Sequence, residues 1–412
     1  MKKSKYILGS FFLLCSLSYI ILKGVLPGWN NLSTDFNNYY VSAKLLVTGE
    51  PIRQFYDNDW FYNKAIEIGV ENGAKFAPFT PVTAVLYVPL TFWDLLTAKR
   101  IWLISNMLLL CFIPFRLSRL FEWKRFDTLL ILSLFFVPIA SNFNFGQVYL
   151  FFSWLIIEAV GANRMKKKFL VPGILIGLLA TVKYVPILFL IYIRSKGQLA
   201  RKALIGSFVA VLTIVILFFY VDSNVFSSFA SVFSDHLQGD LSGQGKFAIG
   251  FQSIDSMLNN LFVYNPAIGY TVGYESNVLR ILFKVLLILY VFVLSILIFK
   301  VDQFKFDTVN SSIFIFGAFV LLPASASYHF LFLLLPIFFI VHWVKSNSKQ
   351  IYLISFISLL LLTFIVQYHH VPDLVNYKSL NIIIHYPRFW GLFVLFSLIG
   401  YWRLYKVIPQ SK

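Results

Sequence analysis

Cysteine is almost missing from this chain: there are two, Cys15 and Cys111, and both fall inside apolar runs. That excludes a disulfide framework and a cysteine-built metal site. Acids are scarce too, 18 Asp and Glu against 35 Lys and Arg, and all charged residues make up only 13% of the sequence. No glycine-rich phosphate loop, low-complexity tract or internal repeat is present, which removes a nucleotide site built on such a loop and a solenoid. The motif "YHHVPD" at 368–373 sets two adjacent histidines near one acid, which is no established ligand spacing. No stretch reads as a soluble domain.

What fills the chain is apolar. Of 412 residues, 58% are hydrophobic and 19% aromatic, with a mean hydropathy of +0.76. A soluble domain cannot hide that much apolar surface, and several runs approach the roughly 20 residues that cross a bilayer. The pattern predicts an all-α polytopic membrane protein, with residues 1–412 as a single integral membrane domain. A net charge of +17 invites a nucleic-acid partner. The basic residues, however, lie in short clusters between apolar runs, where they set topology, so membrane lipids and no nucleic acid are expected. The start, "MKKSKYILGSFFLLCSLSYIILKG", reads as an uncleaved signal anchor.

Following the positive clusters from a cytoplasmic Lys2, Lys3 and Lys5 gives the topology. Residues 6–25 cross first, and 26–77 form an extracytoplasmic loop with short helices. The stretch 79–93 carries Pro78, Pro81 and Pro89 at or near it and is expected as a partial or re-entrant helix, followed by 98–115. Spans at 127–141 and 145–161 flank "SNFNFGQ", read as an outer turn. Residues 169–193 have basic flanks on both sides and so should turn round within the membrane, with Pro186 breaking the helix and Lys183 at the tip. After 203–221 comes a large extracytoplasmic loop, 222–275; then 277–299, 308–322, 327–344, 350–367 and 388–405. The expectation is roughly ten full crossings plus partial helices, both termini cytoplasmic, in a cytoplasmic membrane of bacterial type.

All the polar, aromatic-rich segments fall on the outer side, so chemistry is expected there. Asp35 reads in two ways, as a solvated acid capping a helix over 37–48 or as a functional group. Asp57 and Asp59 read as solvated. Lys183 lies too far from the cytoplasmic flank to snorkel easily, and pairing with a phosphate is its plausible task. Glu158, one turn from "NRMKKK", predicts a local salt bridge. His329 in "PASASYHF" opens a helix after a small-residue turn, structural or functional.

Five blocks then resemble glycosyltransferase family 87, the polyprenyl-phosphate-mannose-dependent enzymes of GT-C architecture. They are "DFNNYYVSAKLLVTGEPIRQFYD", "FAPFTPVTAVLYVPLTFWDLLTAKRIWLISN", "NFNFGQVYLFFSWLIIEA", "PGILIGLLATVKYVPILFL" and "SASYHFLFLLLP", in order over residues 30–340. "FAPFTP" stands where the family often has Tyr-Pro-Pro, and Tyr328-His329 where it has two histidines. The resemblance implies a hexose, mannose foremost, moved from a polyprenyl-phosphate donor to a hydroxyl of a glycolipid or glycan on the extracytoplasmic face. It makes Asp35 the general base, assigns Lys183 and His329 to the donor phosphate, and adds Gln147, Tyr39 and Tyr328 to the donor-binding set. One carboxylate without a close second acid favours inversion. A donor with a built-in phosphate leaving group needs no cofactor, and no metal is expected.

The rival readings are a transporter or flippase of lipid-linked sugars and a lipid-linked glycan polymerase or ligase. Against the first stand featureless cytoplasmic loops and the missing repeat. A large arginine-rich outer loop would favour the second, and 222–275 is not arginine-rich.

Overall fold

The computed structural model describes residues 2–32, 34–76, 78–164, 170–193, 198–237, 246–301, 307–346 and 380–407. The expected span 350–367, the "YHHVPD" motif, Lys166–Lys168, Arg194, Lys196, Ser33 and 238–245 of the glycine-rich loop lie outside the described residues. The described residues are helical throughout, with one isolated bridge between Asn265 and Tyr270. Two compact units divide the chain, Met1–Gln238 and Gly239–Lys412.

The first unit opens with α1 (Lys2–Ile20), which runs through a π-turn, Ile21–Val25, into α2 (Leu26–Asn30). The expected first crossing is thus prolonged by five residues beyond residue 25. Glycine explains the path, because a Cβ on Gly24 would lie 2.7 Å from the Cα of Ala140 and the backbones meet there. Then come α3 (Phe36–Val47) and α4 (Asn58–Glu67), the latter capped by Asp57, whose carboxylate accepts from the amides of Asp59 and Trp60. These short helices form their own aromatic core from Phe55, Tyr56, Phe61 and Phe76.

Next, α5 (Val82–Tyr87) passes into a 3-10 turn, Val88–Phe92. Together they are too short to cross a bilayer, as the prolines imply. After α6 (Leu95–Phe121), the pair α7 (Arg125–Ser133) and α8 (Phe136–Phe145) is bent by 66°. "SNFNFGQ" is mostly the end of α8 rather than a turn, because Asn142 serves tertiary contacts: its Oδ1 accepts from the Leu150 amide at 3.2 Å. Only Gly146, at φ +66°, reverses the chain.

From there α9 (Tyr149–Arg164) returns, and α10 (Leu170–Val182) stops where Lys183 and Tyr184 break the helix. A 3-10 turn, Val185–Phe189, leads into α11 (Leu190–Ile193), with Pro186 in its first turn. The hinge read from "TVKYVP" is present. Glu158 pairs with Arg116 of α6, since α6 and α9 pack side by side and present the two charges to each other; the side chains of its own helix's basic end lie outside the described residues. The unit closes with α12 (Gln198–Val221) and α13 (Val225–Leu237).

In the second unit, α14 (Ile254–Phe262) precedes α15 (Asn277–Val301), α16 (Thr308–Val320), α17 (Leu334–Ser346) and α18 (Pro387–Val407). Asp307 caps α16 through the amides of Val309 and Asn310 and also receives Arg403. Asp255 pairs with Lys284 at 2.6 Å.

Among the described residues, five segments are long and apolar enough to cross a membrane: Tyr6–Asn30, Leu95–Phe121, Arg201–Val221, Asn277–Lys300 and Ser327–Lys345; the bent α7–α8 pair makes a sixth if it is one span. Other expected crossings fall on shorter apolar helices, on Pro387–Val407, or outside the described residues. The apolar side chains of α12 and α15 point outward, among them Phe208, Phe219, Val278 and Phe292. Faces that large and apolar need an apolar surround.

Because lipid offers no hydrophobic drive between helices, close backbone packing must supply it. Gly173 and Gly177, four apart on α10, do so. A Cβ on Gly173 would sit 2.0 Å from the Ala203 carbonyl oxygen, and one on Gly177 2.6 Å from that of Ser207 on α12. We expect Gly177→Leu to lower the unfolding free energy of the detergent-purified protein by about 1–3 kcal/mol or more. Thermal unfolding unchanged from wild type would show that this seam does not hold the unit together.

Candidate active site

Asp35 occupies the N-cap position of α3, yet its side chain makes no capping bond. The carboxylate instead accepts a hydrogen bond from Gln147 Nε2 at 2.6 Å, 112 positions along the chain. The same amide accepts from the Tyr39 hydroxyl at 2.5 Å. Tyr39 lies one helical turn beyond Asp35, so α3 presents acid and phenol together. The turn at Gly146 sets Gln147 in place. There a side chain would meet both the positive φ and the Cβ of Phe36 at 2.8 Å, so the position suits glycine. Trp102 Nε1 holds the Gln147 carbonyl at 3.3 Å.

Beneath this group sits a buried lysine that the sequence reading passed over. Lys99, the fifth residue of α6, is fully buried. Its ammonium donates to the Asn31 carbonyl at 2.5 Å, the Thr34 hydroxyl at 3.0 Å and the Asn144 carbonyl at 3.4 Å. All three protons are engaged, and they bind the chain just before Asp35 to the chain just before Gln147. An ammonium can enter a buried site only on such terms. The sole sequence signal was a lysine directly after a helix start in "DLLTAKR".

Lys183 is placed otherwise. Its ammonium stands 3.9 Å from the centre of the Phe79 ring and 5.8 Å from those of Tyr39 and Tyr149, an aromatic cage. Among the described residues it makes no side-chain hydrogen bond or ion pair, and it interacts electrostatically with Asp35. The proline-rich segment fixes the hinge. Thr80 Oγ1 reaches the Thr181 and Val182 carbonyls at 2.6 and 3.1 Å, covering oxygens that the helix end leaves open. Phe79 is held by Tyr56, whose hydroxyl donates to the Phe79 carbonyl at 3.0 Å. Burial raises the Tyr56 phenol well above its usual range, so it stays a donor.

The structure therefore brings four of the sequence-predicted residues together: Asp35, Tyr39, Gln147 and Lys183. It adds Phe79, Tyr87, Lys99, Trp102 and Tyr149. Tyr328 and His329 belong to the second unit, where His329 Nδ1 accepts from the Ala326 amide at 3.1 Å and the Tyr328 ring lies edge-on to it. No group of three or more His, Cys, Asp or Glu is placed to hold a metal ion among the described residues.

Helices clad in outward apolar residues, with an acid, an amide and a lysine converging in the first unit, define an integral membrane protein with a polar site. The family model of glycosyltransferase family 87 matches residues 77–323, more than half of the chain. The chain belongs to that family and is a glycosyltransferase. No curated protein and no solved structure matches it. The matched stretch contains Tyr87, Lys99, Gln147 and Lys183, whereas Asp35 and Tyr39 precede it and Tyr328 and His329 follow it.

Replacing Lys99 by Met should remove the tie between the two strands of chain that carry Asp35 and Gln147. The expected outcome is a loss of about 1–3 kcal/mol in stability, since buried acceptors lose their donor, together with reduced sugar transfer. Wild-type thermal stability in Lys99→Met would rule the tie out.

Proposed function

We propose that this chain moves a hexosyl group, mannose foremost, from a polyprenyl-phosphate donor to a hydroxyl of a glycolipid or glycan acceptor. The reaction takes place on the extracytoplasmic face of a cytoplasmic membrane of bacterial type and inverts the anomeric carbon. The observation that carries this reading is the state of Asp35. Its carboxylate does not cap its own helix; a neutral amide, Gln147, orients it beside the caged ammonium of Lys183.

The chemistry follows from those groups. The acceptor O–H gives its proton to Asp35, and the oxygen forms a bond to the anomeric carbon of the donor. The bond from that carbon to the phosphate oxygen breaks, and its electron pair leaves on the lipid phosphate. A positioned base contributes about 10²–10⁴-fold, and a fixed cation where charge develops contributes further. Lys183 has its protons available for that oxygen. Gln147, held by Tyr39, keeps the carboxylate aimed. A single carboxylate with no partner acid suits direct displacement over a covalent intermediate. No cofactor takes part, because the leaving group is already a phosphate. The short proline-broken helices α5 and α11 are where a lipid tail would enter, as irregular backbone at that depth lines a cavity. For His329 and Tyr328, a donor-binding role rests on the family resemblance.

Asp35→Asn should lower transfer from polyprenyl-phosphate mannose by at least about 100-fold while the variant still binds the donor. Acceptor-dependent release of free lipid phosphate is the readout, and full activity in Asp35→Asn would remove the base. A flippase of lipid-linked sugars would release none. Lys183→Ala should act chiefly on donor affinity; donor binding equal to wild type would take Lys183 out of the phosphate site.

A further inference from the structure

Tyr87 ends α5, is fully buried, and carries a hydroxyl with no hydrogen-bond partner among the described residues. Buried phenols almost always find one, since an orphaned hydroxyl destabilises the fold. The ring cannot relieve this by turning, because the phenol oxygen lies on the ring axis and ring flips leave it in place. The ring itself is clamped. Tyr39 stacks on it at 4.7 Å and 5° between planes, Trp102 lies 5.1 Å away, and Phe36 meets it edge-on at 5.9 Å.

The clamp is made of the elements that build the site. Tyr39 holds Gln147 through its hydroxyl and borders the Lys183 ammonium, and Trp102 holds the Gln147 carbonyl. Tyr87 also interacts electrostatically with Tyr149, and Tyr149 in turn with Asp35 and Tyr184. Two further buried side-chain oxygens, Asn37 Oδ1 and Asn144 Oδ1, also have no hydrogen-bond partner among the described residues, and they lie on the helices that lead from Asp35 and into Gln147. Three such oxygens therefore lie on the elements that build this site, although other buried polar atoms of the described residues are also left without a hydrogen bond.

We infer that the Tyr87 hydroxyl is a substrate-binding group, which donates its proton to an oxygen of the phosphate–sugar headgroup. The inference rests on the reading of the site as one for a polyprenyl-phosphate sugar. A phenol is a donor at neutral pH, and the cation of Lys183 draws the anionic headgroup toward the same cluster. The missing bond in the free protein is then the bond made to substrate.

This has an unusual consequence, because stability and activity should move in opposite directions. Tyr87→Phe keeps the ring and its stack and removes only the orphan oxygen. Unliganded Tyr87→Phe should unfold at the wild-type temperature or above it, while kcat/KM for the polyprenyl-phosphate sugar falls by about tenfold or more. Thermal stabilisation by polyprenyl phosphate and by polyprenyl-phosphate mannose, measured separately, assigns the bonded oxygen. Weakening with both ligands points to phosphate, and weakening with the mannose-bearing ligand alone points to a sugar hydroxyl. Transfer within twofold of wild type, or a variant that unfolds earlier than wild type, overturns the inference. If wild-type protein itself releases no lipid phosphate in an acceptor-dependent manner, the transfer reading fails instead, and binding of polyprenyl phosphate still tests Tyr87 by itself.

Discussion

The Gln147 amide has one orientation that satisfies both of its neighbours, and the arrangement around Asp35 depends on it. Its NH₂ must face the carboxylate, because a carbonyl oxygen there would set acceptor against anion. Its oxygen then faces Tyr39 and fixes the phenol as donor. A carboxylate left to itself at a helix start would turn onto the open amides of α3 and become a cap. The amide keeps it out of that minimum. Gln147 can reach only because Gly146 turns in the left-handed region against Phe36, and because Lys99 holds the two chain segments together.

Two lysines, Lys99 buried and Lys183 half-buried, show how the same side chain divides into different tasks. Lys99 directs its three protons at three oxygens, so its charge is satisfied within the protein and it acts on shape. Lys183 faces ring planes, which attract a cation but accept none of its hydrogen bonds in full. Aromatic faces therefore hold the ammonium in position while leaving its donors for a ligand. A carboxylate in their place would pair with Lys183 and compete with any phosphate.

Much of this was legible where the chain is punctuated locally. Prolines announced that 79–93 and the segment after Lys183 are broken, and the tyrosine-rich run after Asp35 announced a short helix. What stayed hidden was held in contacts between distant segments. Lys99 looked like one basic residue among many, since nothing in "TAKR" shows which carbonyls will surround it. The asparagines of "SNFNFGQ" suggested a turn through local side-chain bonding, but Asn142 bonds across to Leu150 and Asn106 instead, and the helix continues. Nothing near Glu158 in sequence announced Arg116, which helix packing brings to it from α6. The proposal of Asp35 as base came from resemblance, because an acid before a helix reads equally well as a cap.

Charge balance gives the site a further logic on the proposed reaction. Asp35, Lys99 and Lys183 leave the cluster with one net positive charge, and low-dielectric surroundings make any imbalance expensive. A polyprenyl-phosphate sugar is a phosphodiester with a single negative charge, so donor binding brings the total to zero. When the acceptor proton moves to Asp35, the carboxyl becomes neutral. The departing lipid phosphate, now a monoester whose second ionisation lies near neutrality, gains up to one more negative charge. The total is again close to zero. Reactant and product states are thus nearly isoelectric within the same cluster, and no charge has to enter or leave during the chemical step. Two cations and one acid meet that condition, whereas a second carboxylate would break it. The scarcity of acids that marks the whole sequence is, at this site, what the proposed reaction would require.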